Sequence, residues 1–217
     1  EEPDPHAGRG KGSAKVQGRI WPLPWTRYLK DVSCSTPTGP RACMRIGLLG
    51  GSFNPAHDAH RALSLLAWKR LGLDRVWWLV SPGNPLKLNR DLPSVETRIA
   101  QAREVAASPY ISVCAPEVAY RTRYTFETLT RLIASTPNAR FAWLMGADNL
   151  AQFHRWKRWQ EIAELMPIAV IERPGDEDAP LSSKAAHALA RYRVDESDAP
   201  LLLSMRPPAW VYLHGLK

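Results

Sequence analysis

Residues 45–60, RIGLLGGSFNPAHDAH, constrain this chain more than any other stretch. An apolar run of Ile46, Leu48 and Leu49 meets the pair Gly50-Gly51, then a proline-bearing turn, then His57 and His60. Apolar positions at helical spacing follow: Ala62, Leu63, Leu65, Leu66 and Leu71. This order predicts a buried strand, a tight glycine turn and a helix start. Free N–H groups of such a turn and the positive end of the helix dipole both face one spot, which suits a phosphate. Two imidazoles in or beside the first helical turn add donors there.

Several phosphate and metal motifs fail on this stretch. A P-loop needs G-x-x-x-x-G-K-[ST], and no such Lys follows. A dinucleotide fingerprint needs G-x-G-x-x-G opening the helix, which Gly47-Leu48-Leu49-Gly50-Gly51 does not supply. A zinc site would want H-E-x-x-H, or a Cys or Glu nearby to complete a tetrahedral set, and neither is present. What remains, G-G-[ST]-F-[ND]-P-x-H-x-G-H, resembles the signature of the H-x-G-H nucleotidyltransferases. Ala59 stands where that signature has its second glycine. Within a helix the extra methyl costs nothing in backbone terms.

The 217 residues are enough for one sizeable domain, and 45% hydrophobic content with nine Trp argues for a packed core. The net charge of +8 forms no block of one sign; residues 1–43 hold seven Lys/Arg against four Asp/Glu. Nucleic-acid binding is therefore not indicated, and a mildly basic surface suits anionic nucleotides. Cys34, Cys43 and Cys114 show no C-x-x-C spacing, so a reducing cytoplasm is the expected home. No stretch reaches the ~20 apolar residues of a membrane span.

Residues 1–43 read as a disordered or non-native extension. Glu1–Gly18 is rich in Gly, Lys and Pro, and no secretory apolar region appears. Met44, just before the first strand, is the expected natural start. Residues 44–217 then alternate: strands at Met44–Gly50, Arg75–Val80, Tyr110–Cys114, Arg140–Met145, Ile168–Glu172 and Ala209–Leu213; helices at Asp58–Leu71, Val95–Ala107 (capped by Ser94), Thr125–Ala134, Trp156–Leu165 and Ser182–Ala190. Continuous apolar strands alternating with helices predict an α/β fold, a doubly wound parallel sheet of Rossmann-like type. Ligands of such sheets lie beyond the strands' C-terminal ends. The chain stops four residues past its last strand with no covering helix, so its C-terminal helices are expected to be truncated.

Further motifs sit at those strand ends. Ser81–Lys87 (SPGNPLK) reads either as an ordinary surface loop or as a rigid turn from which Lys87 can reach a phosphate. Thr125 reads as the cap of a helix whose N–H groups can receive a carboxylate. Gly146-Ala147-Asp148 ends a strand with an acid that reads either as a helix cap or as an acceptor for ribose hydroxyls. Phe153–Trp159 (FHRWKRW) interleaves Trp with basic residues, which reads either as a core face or as a stacking surface for an aromatic base. Arg173 opens the turn Arg173-Pro174-Gly175 as a phosphate or carboxylate contact.

Taken in order, RYTFETL, MGADNL and FHRWKRW…ERPG are similar to the bacterial nicotinate-nucleotide adenylyltransferase family over about Met44–Leu213. The resemblance implies a nucleotidyltransferase of NAD biosynthesis that joins ATP, with Mg²⁺, to nicotinate mononucleotide. It implies His57 and His60 on ATP phosphates, Gly50, Gly51, Ser52 and Phe53 against the nucleotide, and Gly146 with Asp148 at the adenosine ribose. It also implies Thr125, Trp156 and the Lys157 backbone N–H at the nicotinate end. No resident metal, nucleic acid or membrane partner is implied, and the oligomeric state is left open. The family's C-terminal S-[ST]-T-x-[IL]-R motif does not occur in this chain.

Rival readings share the histidine motif. One is an adenylyltransferase for another phosphorylated acceptor, nicotinamide mononucleotide or phosphopantetheine, of which the latter gives no reason for FHRWKRW. A class I aminoacyl-tRNA synthetase fragment would want a K-M-S-K-S-like loop, which is not seen. An inactive interaction protein on this fold is the reading of another class, and the intact His57 and His60 count against it.

Overall fold

The computed structural model describes residues 43–83, 92–172 and 180–215. The glycine-flanked apolar run forms strand β1 (Met44–Gly51), and Asp58–Leu71 forms helix α1. Then come β2 (Arg75–Val80), α2 (Val95–Ala106), β3 (Ile111–Cys114), the short α3 (Pro116–Tyr120), α4 (Thr125–Ser135) and β4 (Ala139–Gly146). The chain continues through α5 (Ala147–Gln152), α6 (Trp159–Leu165), β5 (Ile168–Ile171), α7 (Lys184–Ala188), β6 (Arg193–Val194), a 3-10 stretch at Glu196–Ser204 and β7 (Trp210–Leu213). All seven strands lie in one sheet, ordered β3-β2-β1-β4-β5-β7-β6, and every pairing is parallel.

Both faces of the sheet are covered, which is why its strands are apolar on consecutive positions. Leu49, Trp78, Val80 and Leu144 pack with Leu63 and Ala67 of α1 and Ile99 and Ala102 of α2 on one face. Leu48, Trp77, Leu79 and Trp143 pack with Leu129 of α4, Leu150 of α5 and Ile162 of α6 on the other. Val211 and Leu213 of β7 pack with Ala199, Leu202 and Leu203 of the 3-10 stretch, while Trp210 and Tyr212 pack with Leu189. The strand order reverses between β1 and β4, and a crevice opens beyond their C-terminal ends.

Two expected helix starts are corrected. Helix α4 is capped by Tyr124 in extended conformation with no side-chain cap bond, so Thr125 is its first helical residue rather than its cap. No continuous helix spans 156–165. Residues Phe153–Arg155 form a 3-10 turn, Trp156 is extended, and Arg158 takes a left-handed φ of 60° before α6 begins at Trp159. The i,i+3 spacing of Trp156 and Trp159 has a different cause: both indoles pack edge-on against buried Phe153, at 5.4 and 5.7 Å.

Candidate active site

The switch point opens into a cavity of about 730 Å³, within the usual range for small-molecule sites. One wall is the turn from β1 to α1. Gly50 must be a glycine: a Cβ there would lie 2.5 Å from Cη2 of Trp143, whose ring is buried against it. Phe53 has a φ of 48°, an uncommon left-handed conformation for an aromatic residue. Burial offsets that strain. The Phe53 ring is stacked on Trp78 at 5.0 Å and tilted against His60 at 4.9 Å.

The histidines meet at the head of α1, their ring centroids 3.9 Å apart. The backbone N–H of His57, the N-cap residue, donates to Nδ1 of His60 at 3.3 Å. In the neutral imidazole the proton of His60 therefore belongs on Nε2. The first turn is also held from the sheet. Trp78 Nε1 donates to Ser64 Oγ at 2.7 Å, and Ser64 Oγ donates to the His60 carbonyl at 2.7 Å.

Arg98 of α2 fastens the turns. Its side chain is fully buried, and its guanidinium donates to the carbonyls of Ser52 (2.6 Å), Ser81 (2.7 Å), Pro82 (3.2 Å) and Pro93 (3.0 Å). Desolvation lowers its pKa below the usual arginine value, with the charge of Glu96 acting in the opposite sense. Four carbonyl dipoles stabilise the buried cation, and the cation in turn binds the turn after β1 to the turn after β2.

The opposite wall comes from the α3–α4 and α5–α6 connections. Lys157 Nζ lies 3.9 Å over the Tyr124 ring and Arg158 Cζ lies 3.6 Å over the Phe126 ring, joining the two segments. Trp143 and Trp156 meet edge-on at 6.0 Å in the floor. Cations Arg123, Arg155 and Lys157 line the cavity against the acids Glu117 and Asp148. Burial pushes the Glu117 carboxyl up to about 7. Among the described residues no group of three or more His, Cys, Asp or Glu is placed to hold a metal ion.

Gly50, Gly51, Ser52, Phe53, His57, His60, Thr125, Asp148, Trp156 and Lys157 all line this one cavity. Gly146 does not; it is the N-cap of α5, two residues before Asp148. Lys87 and Arg173 lie outside the described residues. Sequence reading missed Arg98, Ser64, Glu117 and Arg123. Arg98 had a signal, since Val95, Arg98, Ile99 and Ala102 share one helical face.

No helix among the described residues is long and apolar enough to cross a membrane. The cytidylyltransferase-like family model matches residues 48–207. The "Probable nicotinate-nucleotide adenylyltransferase" of Bradyrhizobium sp. (strain ORS 278) is 59% identical over 174 residues, 80% of this chain and 91% of that protein. The protein of the same description from Agrobacterium fabrum is 50% identical over 172 residues, 79% of this chain and 92% of its own. The solved Plasmodium falciparum nicotinic acid mononucleotide adenylyltransferase complexed with NaAD aligns with a TM-score of 0.56 at 18% identity, covering 80% of this chain and 76% of that one. At that identity it shows the fold alone. A match of this extent, on this sheet and with the histidine motif at its switch point, means that the chain belongs to the nicotinate-nucleotide adenylyltransferase family of cytidylyltransferase-like enzymes.

Proposed function

We propose that the chain transfers the adenylyl group of ATP to nicotinate mononucleotide, releasing pyrophosphate and forming the deamido dinucleotide of NAD biosynthesis. One observation carries the reading: His57 and His60 share a single cavity with Thr125, Trp156 and Lys157 on the opposite wall. A cavity with phosphate donors on one side and an aromatic, cationic wall on the other suits two nucleotides joined at their phosphates.

The 5′-phosphate of the mononucleotide attacks the α-phosphorus in line, forming a P–O bond as the bond to pyrophosphate breaks. That nucleophile is already an anion, so no general base is needed. Catalysis then comes from positioning and from neutralising phosphate charge. His57 and His60 donate to the phosphates, helped by the turn Gly50–Phe53 and by Lys87. Asp148, with Gly146 behind it, holds the adenosine ribose. Trp156 stacks on the pyridine, while Thr125, the Lys157 backbone N–H and Arg173 serve its carboxylate and phosphate. Mg²⁺ arrives as the ATP complex rather than as a resident ion. The activity resides in residues 44–217 and works in the cytoplasm.

The test is pyrophosphate release with ATP and each of the two mononucleotides, acid and amide. The acid is expected to be preferred by at least about 100-fold in kcat/KM, because charge-assisted bonds to the carboxylate have no equal in the amide. Equal rates would move the chain to a nicotinamide-using activity. Unchanged activity after removal of residues 1–43 supports the assignment to 44–217, and its loss overturns that part.

A further inference from the structure

The turn that carries Trp156 and Lys157 is strained at a residue outside the cavity. The Trp159 N–H donates to the Trp156 carbonyl at 3.2 Å, closing a β-turn over residues 156–159. Its third residue, Arg158, has a φ of 60° and a ψ of 36°, whereas Lys157 before it is not left-handed. A turn with only its third residue left-handed is of the type II class, where glycine or asparagine usually stands. An arginine backbone gains nothing there. With a right-handed third residue the turn becomes type I, and the Lys157–Arg158 peptide is turned over. Lys157 lines the cavity, so the orientation of that peptide belongs to the cavity wall.

The side chain of Arg158 accounts for the conformation. Its Cζ lies 3.6 Å over the Phe126 ring, and its Nε and Nη2 donate to the two Glu161 oxygens at 2.6 and 2.7 Å. Neither Arg158 nor Phe126 lines the cavity. The neighbouring contact does, with Lys157 Nζ 3.9 Å over the Tyr124 ring. Consecutive cations thus rest on Tyr124 and Phe126, the rings on either side of Thr125 at the start of α4. From the floor, the Trp156 ring is wedged edge-on against Phe153 at 5.4 Å and Trp143 at 6.0 Å. Thr125 and the Lys157 backbone are therefore held in one register. The two cations differ in what they can fix. A lysine ammonium is a point charge on a flexible stem, whereas a guanidinium held by both carboxylate oxygens has a set direction.

We propose that Arg158 is a positioning residue for substrate specificity: clasped between Phe126 and Glu161, it holds the left-handed turn in which the Trp156–Lys157 wall receives a nicotinate carboxylate. The proposal rests on that wall being the seat of the mononucleotide, as argued above. A carboxylate only accepts hydrogen bonds, so it needs N–H groups from the wall and is repelled by a carbonyl turned toward it. A carboxamide donates as well as accepts, so either orientation of the peptide serves it. Loss of the clasp therefore weakens the acid more than the amide.

The acid-to-amide ratio of kcat/KM, measured on the full chain, reads this effect. Both mononucleotides carry the same 5′-phosphate and meet the same histidines, so a general loss of stability or of phosphate binding leaves the ratio unmoved. Arg158→Ala removes the ring contact and the ion pair, and its side chain resists the left-handed turn. The ratio should fall by about 10- to 100-fold, the scale of one hydrogen bond to a charged group. The change should appear in KM for the acid, with KM for ATP unaltered. Arg158→Gly loses the same contacts, yet glycine adopts the left-handed turn at no steric cost, so most of the ratio should return. Phe126→Leu takes away the ring from the other side and should lower the ratio in the same sense, which decides the matter if the Arg158 variants fail to fold. An unchanged ratio in Arg158→Ala or in Phe126→Leu overturns the proposal, as does an equal loss in Arg158→Ala and Arg158→Gly. Each of those results leaves the adenylyl transfer intact. Equal wild-type rates with acid and amide, or no turnover of either, overturn the nicotinate reading and the proposal together.

Discussion

The Arg98 guanidinium donates to the Ser52 carbonyl at 2.6 Å from a helix none of whose residues lines the cavity. The same Nη1 reaches the Ser81 carbonyl at 2.7 Å, so one buried cation spans the turns after β1 and β2. Ser52 precedes Phe53, whose left-handed backbone brings its ring to His60. Arg98 is thus a positioning residue for the histidine turn. Arg98→Lys keeps the charge but cannot reach four carbonyls. It should fold with a lower Tm and lose about 10- to 100-fold in kcat/KM for ATP, the scale of a small misplacement of catalytic groups. Kinetics and a melting curve on the same sample check this. A melting loss with unchanged kinetics would reduce Arg98 to a structural role.

Gly50 and Gly51 are neighbours with opposite tolerance. An added Cβ at Gly50 meets the Trp143 ring at 2.5 Å, and that ring is only 3% exposed. At Gly51 the nearest atom is on the Phe53 ring at 3.4 Å, ordinary contact. Gly50→Ala should therefore cost about 1–3 kcal/mol as overpacking. Gly51→Ala should change stability by less than about 0.5 kcal/mol. Urea unfolding of the two variants gives the comparison, and equal losses would contradict it.

Six of the seven strands were legible because they are short apolar runs between turn residues, and Asp58–Leu71 and Arg75–Val80 coincide with the observed elements, whereas the two-residue β6 was not. The Ser94 cap was legible from residue type, and its side chain does accept from the Thr97 N–H. The histidine turn was legible because glycine, proline and imidazole there each have a separate physical reason. What was hidden lacks a period. Helix α3 has five residues, and the 3-10 stretch Glu196–Ser204 contains Pro200. Trp156 and Trp159 imitate a helical face while packing on one phenylalanine from two different segments. Arg98 and Glu117 are polar residues whose burial depends on long-range packing, which no local pattern reports.

The α3–α4 segment and the α5–α6 connection meet through cations over rings. Lys157 Nζ is 3.9 Å from the Tyr124 centroid, and both residues border the cavity. Lys157→Met and Tyr124→Leu should each destabilise the protein modestly. The double variant should show a coupling of about 0.5–1 kcal/mol, the worth of a solvent-accessible cation–π pair. A double-mutant cycle by urea unfolding measures it, and strictly additive losses would show that the contact contributes nothing.

Cys114 is fully buried on β3, and burial raises its thiol to about 12, with the charge of Arg103 acting weakly against this. Thiolate is the reactive form, so native protein should protect this residue from alkylation at neutral pH. Exposed Cys43 should react. Peptide mapping after brief iodoacetamide treatment, with and without urea, checks the contrast. Modification of Cys114 at the native-state rate of Cys43 would show that the β3–α3 region opens readily.

The last prediction concerns His60 and separates its two nitrogens. Nδ1 accepts the His57 N–H, closing the first turn of α1 and leaving Nε2 with the proton of the neutral ring. A donor held this way is aimed before the substrate arrives, which is what stabilises charge developing on a phosphate oxygen. His60→Ala removes the donor and the cap together, so kcat should fall by roughly 10²–10³-fold. Losing the cap alone costs about 1 kcal/mol of stability. His60→Asn separates the effects. Its short side-chain oxygen can still accept from the N-cap backbone while its amide does not extend to the Nε2 position. Asn should recover most of the stability lost in Ala and little of the turnover. The measurements are urea unfolding and single-turnover adenylyl transfer for wild type, Ala and Asn. If Asn restored both, the Nε2 proton would have no part in the reaction, and the value of His60 would lie in capping α1.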